Sequence, residues 1–294
     1  MAGEAPAALR QARGTGGSTC AGIGEPKRLN YSAVDSKILS AGSVPPLALS
    51  LIAPTYNERD RLAELAQAVF SAYRAAGLYG ELVVVDDNSP DGTGQLADDL
   101  ATKYPVRVVH RAGKLGLGTA VVEGFNAATA PIVGVIDADL SHPPDIIPRM
   151  FAVMRQHAAD VVIGSRYIGG GGTRDWELSR LAMSKFACLL ARGLTPVRDA
   201  TSGLFLIRRE LARAVTISAG GFKICLELLI RSQPSRVIEV PYVFVGRTAG
   251  ESKMHLKEVT GYLAQLRDLH RFRRAHGGRS PEYRALSTRE LDLA

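Results

Sequence analysis

The sequence predicts an α/β protein with an open, mostly parallel, Rossmann-like sheet flanked by helices. Short apolar runs at 47–53, 81–85, 106–109 and 133–136 alternate with stretches of helical period, the signature of strand–helix–strand units. Each run empties into a polar loop, and ligands in such sheets gather at the carboxyl ends of the strands. The run at 133–136 is apolar on both faces, as a central strand of a parallel sheet is.

The elements follow in order. Residues 1–46 are rich in Ala, Gly, Ser and Thr without sustained periodicity and are expected to form a disordered tail. Arg10, Arg13, Lys27 and Arg28 face only Glu4, Glu25 and Asp35 there, which leaves a targeting segment open. Pro45-Pro46 ends the tail. The strand at 47–53 leaves through Pro54-Thr55-Tyr56-Asn57-Glu58. A helix follows with Leu62, Leu65, Ala66, Val69 and Tyr73 on one face, closed by Gly77 and Gly80. The strand at 81–85 ends in Asp86-Asp87-Asn88-Ser89-Pro90-Asp91-Gly92. A short helix leads to the strand at 106–109, a basic glycine-rich loop at 110–118 and a helix to about 129. The strand at 133–136 runs into Asp137-Ala138-Asp139-Leu140-Ser141. Beyond it are a helix at 143–157, a strand at 160–164 ending in Ser165-Arg166-Tyr167, and a flexible glycine loop at 169–172. A helix at 176–192, a strand at 201–207, a helix at 221–231 and a strand at 237–245, interrupted by Pro241, come next. A polar loop at 247–253 precedes a last helix from 254, with Leu256, Val259, Leu263 and Leu266 on one face. Residues 276–294 read as a second disordered tail, leaving one domain at 47–275.

The chain has 294 residues and a net charge of +7, which suits an anionic partner such as a nucleotide or an acidic membrane surface. Nucleic acid is not expected, because aromatics make up 6% and no zinc-finger or RNP pattern is present. Cys20, Cys188 and Cys225 form no CxxC pair, so neither a disulfide framework nor a zinc site is suggested, and a reducing, cytosolic setting fits. No apolar run approaches the roughly 18 residues of a membrane span, and no secretory h-region opens the chain.

The chemistry gathers at the strand ends. Asp137 and Asp139, with only Ala138 between them, can both reach one hard cation. Mg²⁺ or Mn²⁺ takes oxygen ligands and shares its shell with substrate phosphates. The plainer alternative is one Asp capping the next helix and one exposed by chance. Glu58, Asp87 and Asp139 leave the same rim and are expected to converge. Asp86 and Asp91 share a loop with Pro90 and Gly92, so part of this acidic run serves the turn. His142, beside Pro143-Pro144, reads as a helix-start residue rather than a metal ligand. Lys114-Leu115-Gly116-Leu117-Gly118 lacks the third glycine of a dinucleotide fingerprint, and there is no P-loop.

Six motifs then appear in register: Pro54-Thr55-Tyr56-Asn57-Glu58, Val84-Val85-Asp86-Asp87-Asn88-Ser89-Pro90-Asp91-Gly92-Thr93, Leu115-Gly116-Leu117-Gly118-Thr119-Ala120, Asp137-Ala138-Asp139-Leu140-Ser141-His142-Pro143, Gly164-Ser165-Arg166-Tyr167 and Gly250-Glu251-Ser252-Lys253. From about 47 to 267 the chain resembles family 2 glycosyltransferases of GT-A fold, and more narrowly the dolichol-phosphate (polyprenol-phosphate) mannose synthases.

The resemblance implies an enzyme that moves mannose from GDP-mannose to a polyprenyl or dolichyl phosphate, with inversion to a β-linked product. It assigns the guanosine to Pro54, Tyr56, Glu58, Val85 and Asp87, with Tyr56 and Val85 offering flat apolar surface. It places Asp137, Ala138 and Asp139 against the sugar nucleotide and the metal on Asp139. Ser141 matches the position that completes the metal shell in relatives, where Gln also occurs; serine is a weaker ligand, and a bridging water fits there. Arg166, Arg247 and Lys253 match basic residues around the diphosphate and the acceptor phosphate. Asp137, Asp139 and Arg166 carry the catalytic expectation. The helices from 176 and from 254 are amphipathic and basic, as interfacial helices are. They imply peripheral binding at the cytosolic membrane face, alone or with a small membrane-anchoring subunit. The rivals are a UDP-glucose (or other UDP-sugar) donor with the same lipid, a non-catalytic nucleotide-binding subunit, and a nucleic-acid-binding protein.

Overall fold

The structure, a computed structural model, describes residues 46–217, 223–246 and 256–293. The expected tail up to residue 45, the loop at 247–253 with Arg247 and Lys253, and the starts of the helices expected from 221 and 254 lie outside the described residues.

The first half alternates as the hydropathy predicts: β1 (Leu49–Thr55), α1 (Arg59–Ala75), β2 (Gly80–Asp86), α2 (Thr93–Ala101), β3 (Val106–His110), α3 (Leu117–Ala127) and β4 (Ile132–Val135). The second half holds α4 (Ile146–Gln156), β5 (Val161–Ser165), β6 (Gly172–Arg174), α5 (Leu178–Ala191), β7 (Phe205–Arg208) and α6 (Arg209–Arg213). It closes with α7 (Ile224–Arg231), β8 (Arg236–Pro241), β9 (Val243–Val245), α8 (Leu256–His276), β10 (Glu282–Ala285) and α9 (Thr288–Asp292).

Eight of these strands form one sheet in the order β10-β8-β5-β7-β4-β1-β2-β3. Among the described strands of this sheet, β7 alone runs antiparallel, between β4 and β5. Both faces of the sheet's middle are covered, so β1, β2, β4, β5 and β7 are buried along nearly their whole length. β2 shows the division: Leu82 and Val84 enter the core under α1 and α4, while Val83 and Val85 enter the core with Phe125 and Leu228. Burying each such side chain contributes about 1.5–3 kcal/mol.

Three expectations change. The run at 237–245 is two strands: β8 stays in the main sheet and β9 pairs with β6 in a separate ribbon. The glycine loop at 169–172 is a packed turn, because a Cβ on Gly171 would lie 2.4 Å from the carbonyl oxygen of Ser165. Residues 276–294, expected as a tail, contain β10 and α9. β10 is an edge strand whose sequence, Glu282-Tyr283-Arg284-Ala285, carries almost no hydropathy signal. Leu286 and Leu291 behind it are fully packed into the core.

Candidate active site

The parallel register brings three loops to one rim. Thr55 lies opposite Asp86, Ile52 opposite Val135, and the Ile136 N–H continues the ladder to the Ile52 carbonyl at 3.0 Å. The loops after β1, β2 and β4 therefore leave side by side, carrying Glu58, Asp87 and Asp139. Each turns through a residue in the left-handed region: Asn57 at φ 59°, Asn88 at φ 56° and Leu140 at φ 61°. Asn tolerates that conformation; Leu does not, so strain of about 1–3 kcal/mol sits one residue after Asp139.

The first two loops are stitched together. The Asn57 N–H donates to Ser89 Oγ at 3.0 Å, the Glu58 N–H to Thr93 Oγ1 at 3.0 Å and the Arg59 N–H to Asp91 at 3.2 Å. Asp86 accepts the Ser89 N–H at 3.0 Å and hydroxyl at 2.5 Å, and Asp91 accepts the Thr93 N–H at 3.0 Å and hydroxyl at 2.6 Å. These two carboxylates build the turn. Desolvation alone would raise the Asp91 pKa, but hydrogen bonds from the Thr93 side chain and from the Thr93, Arg59 and its own N–H together override it and hold the pKa down. Asp87 turns the other way. It pairs with the buried Arg111 guanidinium, which also donates to Thr119 Oγ1 at 2.5 Å. Arg111 thereby fastens the glycine-rich loop at 110–118 to the acidic one. Tyr56 is partly exposed with the Lys114 ammonium 3.8 Å over its ring. Val85 departs from expectation: its side chain is wholly inside the core, because β2 is covered on both faces, so it offers a ligand no flat surface.

At the end of β4, Asp137 keeps a partly exposed carboxylate that accepts the Nε2–H of buried His142 at 3.1 Å. The His142 ring lies 5.5 Å from Tyr242 and 5.1 Å from Phe244. His142 therefore orients Asp137 and does not begin α4, whose cap is Asp145. Asp139 Oδ1 accepts the Ser141 N–H at 2.9 Å. The Ser141 hydroxyl beside it is buried with no hydrogen-bond partner among the described residues. Among the described residues no three His, Cys, Asp or Glu side chains cluster as a metal cage. One carboxylate and one orphaned hydroxyl do fit a hard cation that draws its other oxygens from substrate phosphates.

Arg166, expected beside the diphosphate, is engaged from within the protein. It is buried, and Asp199 accepts its Nε–H and Nη2–H at 2.7 Å each and its backbone N–H at 3.0 Å. Thr201 Oγ1 accepts a further bond at 3.3 Å. Tyr167, Trp176 and Phe244 ring the guanidinium at 5.1–5.8 Å. Burial alone would lower its pKa, but the hydrogen bonds to Asp199 and that carboxylate's charge override it and hold the pKa up. Nearby, burial and then Arg166 push the Lys223 ammonium down, against the opposing pull of Asp137 and Asp199.

The residues that sequence reasoning missed lie in Arg198-Asp199-Ala200-Thr201-Ser202-Gly203. The signal was a polar run ending in glycine just before β7, which the expected strand at 201–207 absorbed. Gly203 matters most, since a Cβ there would lie 3.0 Å from Asp137 Oδ2 and 3.2 Å from His142 Nε2.

Beyond Trp176, α5 exposes Leu178, Met183, Phe186 and Leu189, and α8 exposes Val259 and Leu263. The Tyr262 hydroxyl donates to the Ala187 carbonyl at 2.7 Å and ties the two helices together. Among the described residues no helix is long and apolar enough to cross a membrane.

Comparison with known proteins adds sequence relatives and structural neighbours. The family model for glycosyl transferase family 2 matches residues 50–216. A dolichol-phosphate mannosyltransferase of Pyrococcus furiosus is 41% identical over 224 residues, 75% of this chain and 63% of that one. This chain thus spans less than two thirds of that relative's length. A dolichol-phosphate mannosyltransferase of Saccharomyces cerevisiae is 37% identical over 235 residues, 76% of this chain and 87% of that one. Two solved structures share the fold. Mannosyl-3-phosphoglycerate synthase from Rubrobacter xylanophilus has 20% identity and a TM-score of 0.58, covering 79% of this chain and 75% of that one. Mannosyltransferase PcManGT from Pyrobaculum calidifontis, solved with GDP-Man and Mn²⁺, has 21% identity and a TM-score of 0.56, covering 79% of this chain and 65% of that one.

Proposed function

The chain belongs to glycosyl transferase family 2, and we propose that it transfers mannose from GDP-mannose to dolichyl or another polyprenyl phosphate. The observation that carries this reading is the shared rim: Asp137, Asp139, Ser141 and the Asp87–Arg111 loop meet at the carboxyl ends of β1, β2 and β4. The named mannosyltransferase relatives support the choice of donor and acceptor.

An acceptor phosphate oxygen attacks the anomeric carbon as the bond from that carbon to the GDP oxygen breaks, and GDP departs. In-line attack on the α-linked donor gives the β-linked product. The acceptor phosphate has a second pKa near 6, so it is largely dianionic at neutral pH and needs no strong base. Pro54, Tyr56, Glu58 and Asp87 hold the guanosine, with Arg111 fixing the Asp87 carboxylate. Asp137, set by His142, and Ala138 line the mannose. Asp139 and Ser141 would hold Mg²⁺ or Mn²⁺, whose chemistry there is to neutralise charge on the departing diphosphate. Arg166, which shares the Phe244 ring with His142, the partner of Asp137, supplies fixed positive charge to the departing diphosphate. The resemblance assigns Arg247 and Lys253, which lie outside the described residues, to the same phosphates.

The acceptor's tail lies in a bilayer. The exposed apolar rows of α5 and α8, with Arg180, Lys185, Arg267 and Arg271 alongside, suit a peripheral seat at the cytosolic face, alone or with a small anchoring subunit. The test is transfer of radiolabelled mannose to dolichyl phosphate in vesicles, with Asp139→Ala as the control that must abolish it. UDP-glucose serving better than GDP-mannose would overturn the donor assignment.

A further inference from the structure

Arg166 is braced from a part of the chain remote from the sugar site. The Glu239 carboxylate on β8 is fully buried and accepts the backbone N–H groups of Arg198 and Asp199 at 2.8 Å each. It also accepts the hydroxyl of Tyr283 at 2.5 Å. Tyr283 belongs to β10, where Ala285 lies opposite Glu239 and the Leu286 N–H donates to the Glu239 carbonyl at 2.9 Å. One buried acid thus joins the C-terminal strand to the turn that presents Asp199. The same segment meets the other side of the Arg166 loop. A Cβ on Gly170 would lie 2.0 Å from Thr288 Oγ1, so the start of α9 rests directly on that loop.

A buried carboxylate with fixed donors holds its neighbours more rigidly than any single contact. Burial, and then the Glu239 charge, push the Tyr283 phenol above its ordinary pKa, so it stays a donor across the working pH range.

We propose that Tyr283 is a positioning residue for the transfer reaction: its hydroxyl fixes Glu239, Glu239 fixes the Asp199 turn, and Asp199 sets the Arg166 guanidinium. This rests on the assignment of Arg166 to the transfer machinery made above. The C-terminal segment, read from sequence as a tail, then acts as the back wall of the site.

A kinetic double-mutant cycle on the full chain tests it, with GDP-mannose and dolichyl phosphate in vesicles and a melting curve for every variant. Tyr283→Phe is expected to lower kcat roughly 10-fold, the scale of one hydrogen bond to a charged group. KM for GDP-mannose should stay nearly unchanged, while the melting temperature falls by a few degrees because the buried Glu239 carboxylate loses one of its three donors. In the Arg166→Lys background the same substitution should cost nothing further, because the group it positions is already gone. If the two losses multiply, or if Tyr283→Phe keeps full turnover while Arg166→Lys loses it, the positioning role is overturned and the Arg166 assignment stands. If Arg166→Lys itself keeps full turnover, the assignment beneath falls and the inference with it. Should Tyr283→Phe fail to fold, Glu239→Gln carries the same cycle with the same two readings.

Discussion

The Asp199 carboxylate receives the Arg166 guanidinium as a two-armed pair, 2.7 Å on each arm, with both side chains buried. Such a pair adds little net stability over apolar packing, but removing one partner strands the other charge and costs about 3–5 kcal/mol. Asp199→Asn is therefore expected to lower the denaturation free energy by that amount, read from urea melts. Transfer should be lost even at temperatures where the variant is folded. Unchanged stability would mean that the pair is open to water.

Gly203→Ala tests the packing against Asp137. The added methyl would sit 3.0 Å from Asp137 Oδ2 and 3.2 Å from His142 Nε2, so the carboxylate must shift by a few tenths of an ångström. Misplacement of a reacting group is costly, and a drop in kcat of roughly 10- to 100-fold is expected. The melting temperature should barely move. Steady-state kinetics beside calorimetry decides it; full activity would show that Asp137 has room to spare.

Ser141 offers a test in which stability and activity move in opposite directions. Its buried hydroxyl has no partner among the described residues, and an unsatisfied buried polar group costs about 1–3 kcal/mol. Ser141→Ala is expected to raise the melting temperature of the metal-free protein. It should also raise the Mn²⁺ concentration needed for half-maximal transfer. A fall in melting temperature would mean that the hydroxyl is satisfied in solution.

The legible part of this molecule is the part written in local pattern. β1, β2 and β4 are short runs buried on both faces, and the loops that follow them carry the acids, so the rim could be foreseen from period and polarity. The direction of β7 could not, because hydropathy does not distinguish parallel from antiparallel. The pairing of Arg166 with Asp199 spans 33 residues, and Glu239, a further 40 residues on, accepts the Asp199 N–H, relations that no local window contains. Arg166 therefore read as a phosphate-binding cation with no partner foreseen. Val85 read as a ligand surface because its loop is functional, while its side chain obeys the alternation of β2. β10 was silent because an edge strand beside polar solvent can be spelled Glu-Tyr-Arg-Ala.

The exposed apolar row of α5 predicts a separation of binding from folding. Phe186 and Leu189 are 58% and 64% exposed, so replacing both by Asp should change stability by less than about 1 kcal/mol in total. Attachment to vesicles of anionic lipid, measured by sedimentation, should fall at least roughly 10-fold, as expected when apolar area is withdrawn from an interfacial helix. Turnover on a short, water-soluble polyprenyl phosphate should survive. Unaltered vesicle binding would place the membrane contact elsewhere.

The C-terminal helix carries a pH signature of its own. In α9 the Ser287 N–H and hydroxyl both donate to Glu290 at 2.8 Å, and the Glu290 N–H returns a bond to Ser287 Oγ at 3.3 Å. The backbone bond from Ser287, then its hydroxyl, then Arg284 pull the Glu290 carboxyl down to about 2 from an ordinary 4.5. A carboxyl whose folded pKa is depressed stabilises the fold fully above its unfolded pKa and loses that contribution as pH falls through the folded value. Protection of the α9 amides against hydrogen exchange, corrected for intrinsic rates, should therefore be level from neutral pH down to about 4.5 and decline towards about 2. Glu290→Gln should start lower and show no such step, since its amide cannot gain or lose the charge. A step of equal size in that variant would assign the transition to another acid, such as Asp292, which pairs with Arg149 at 2.9 Å.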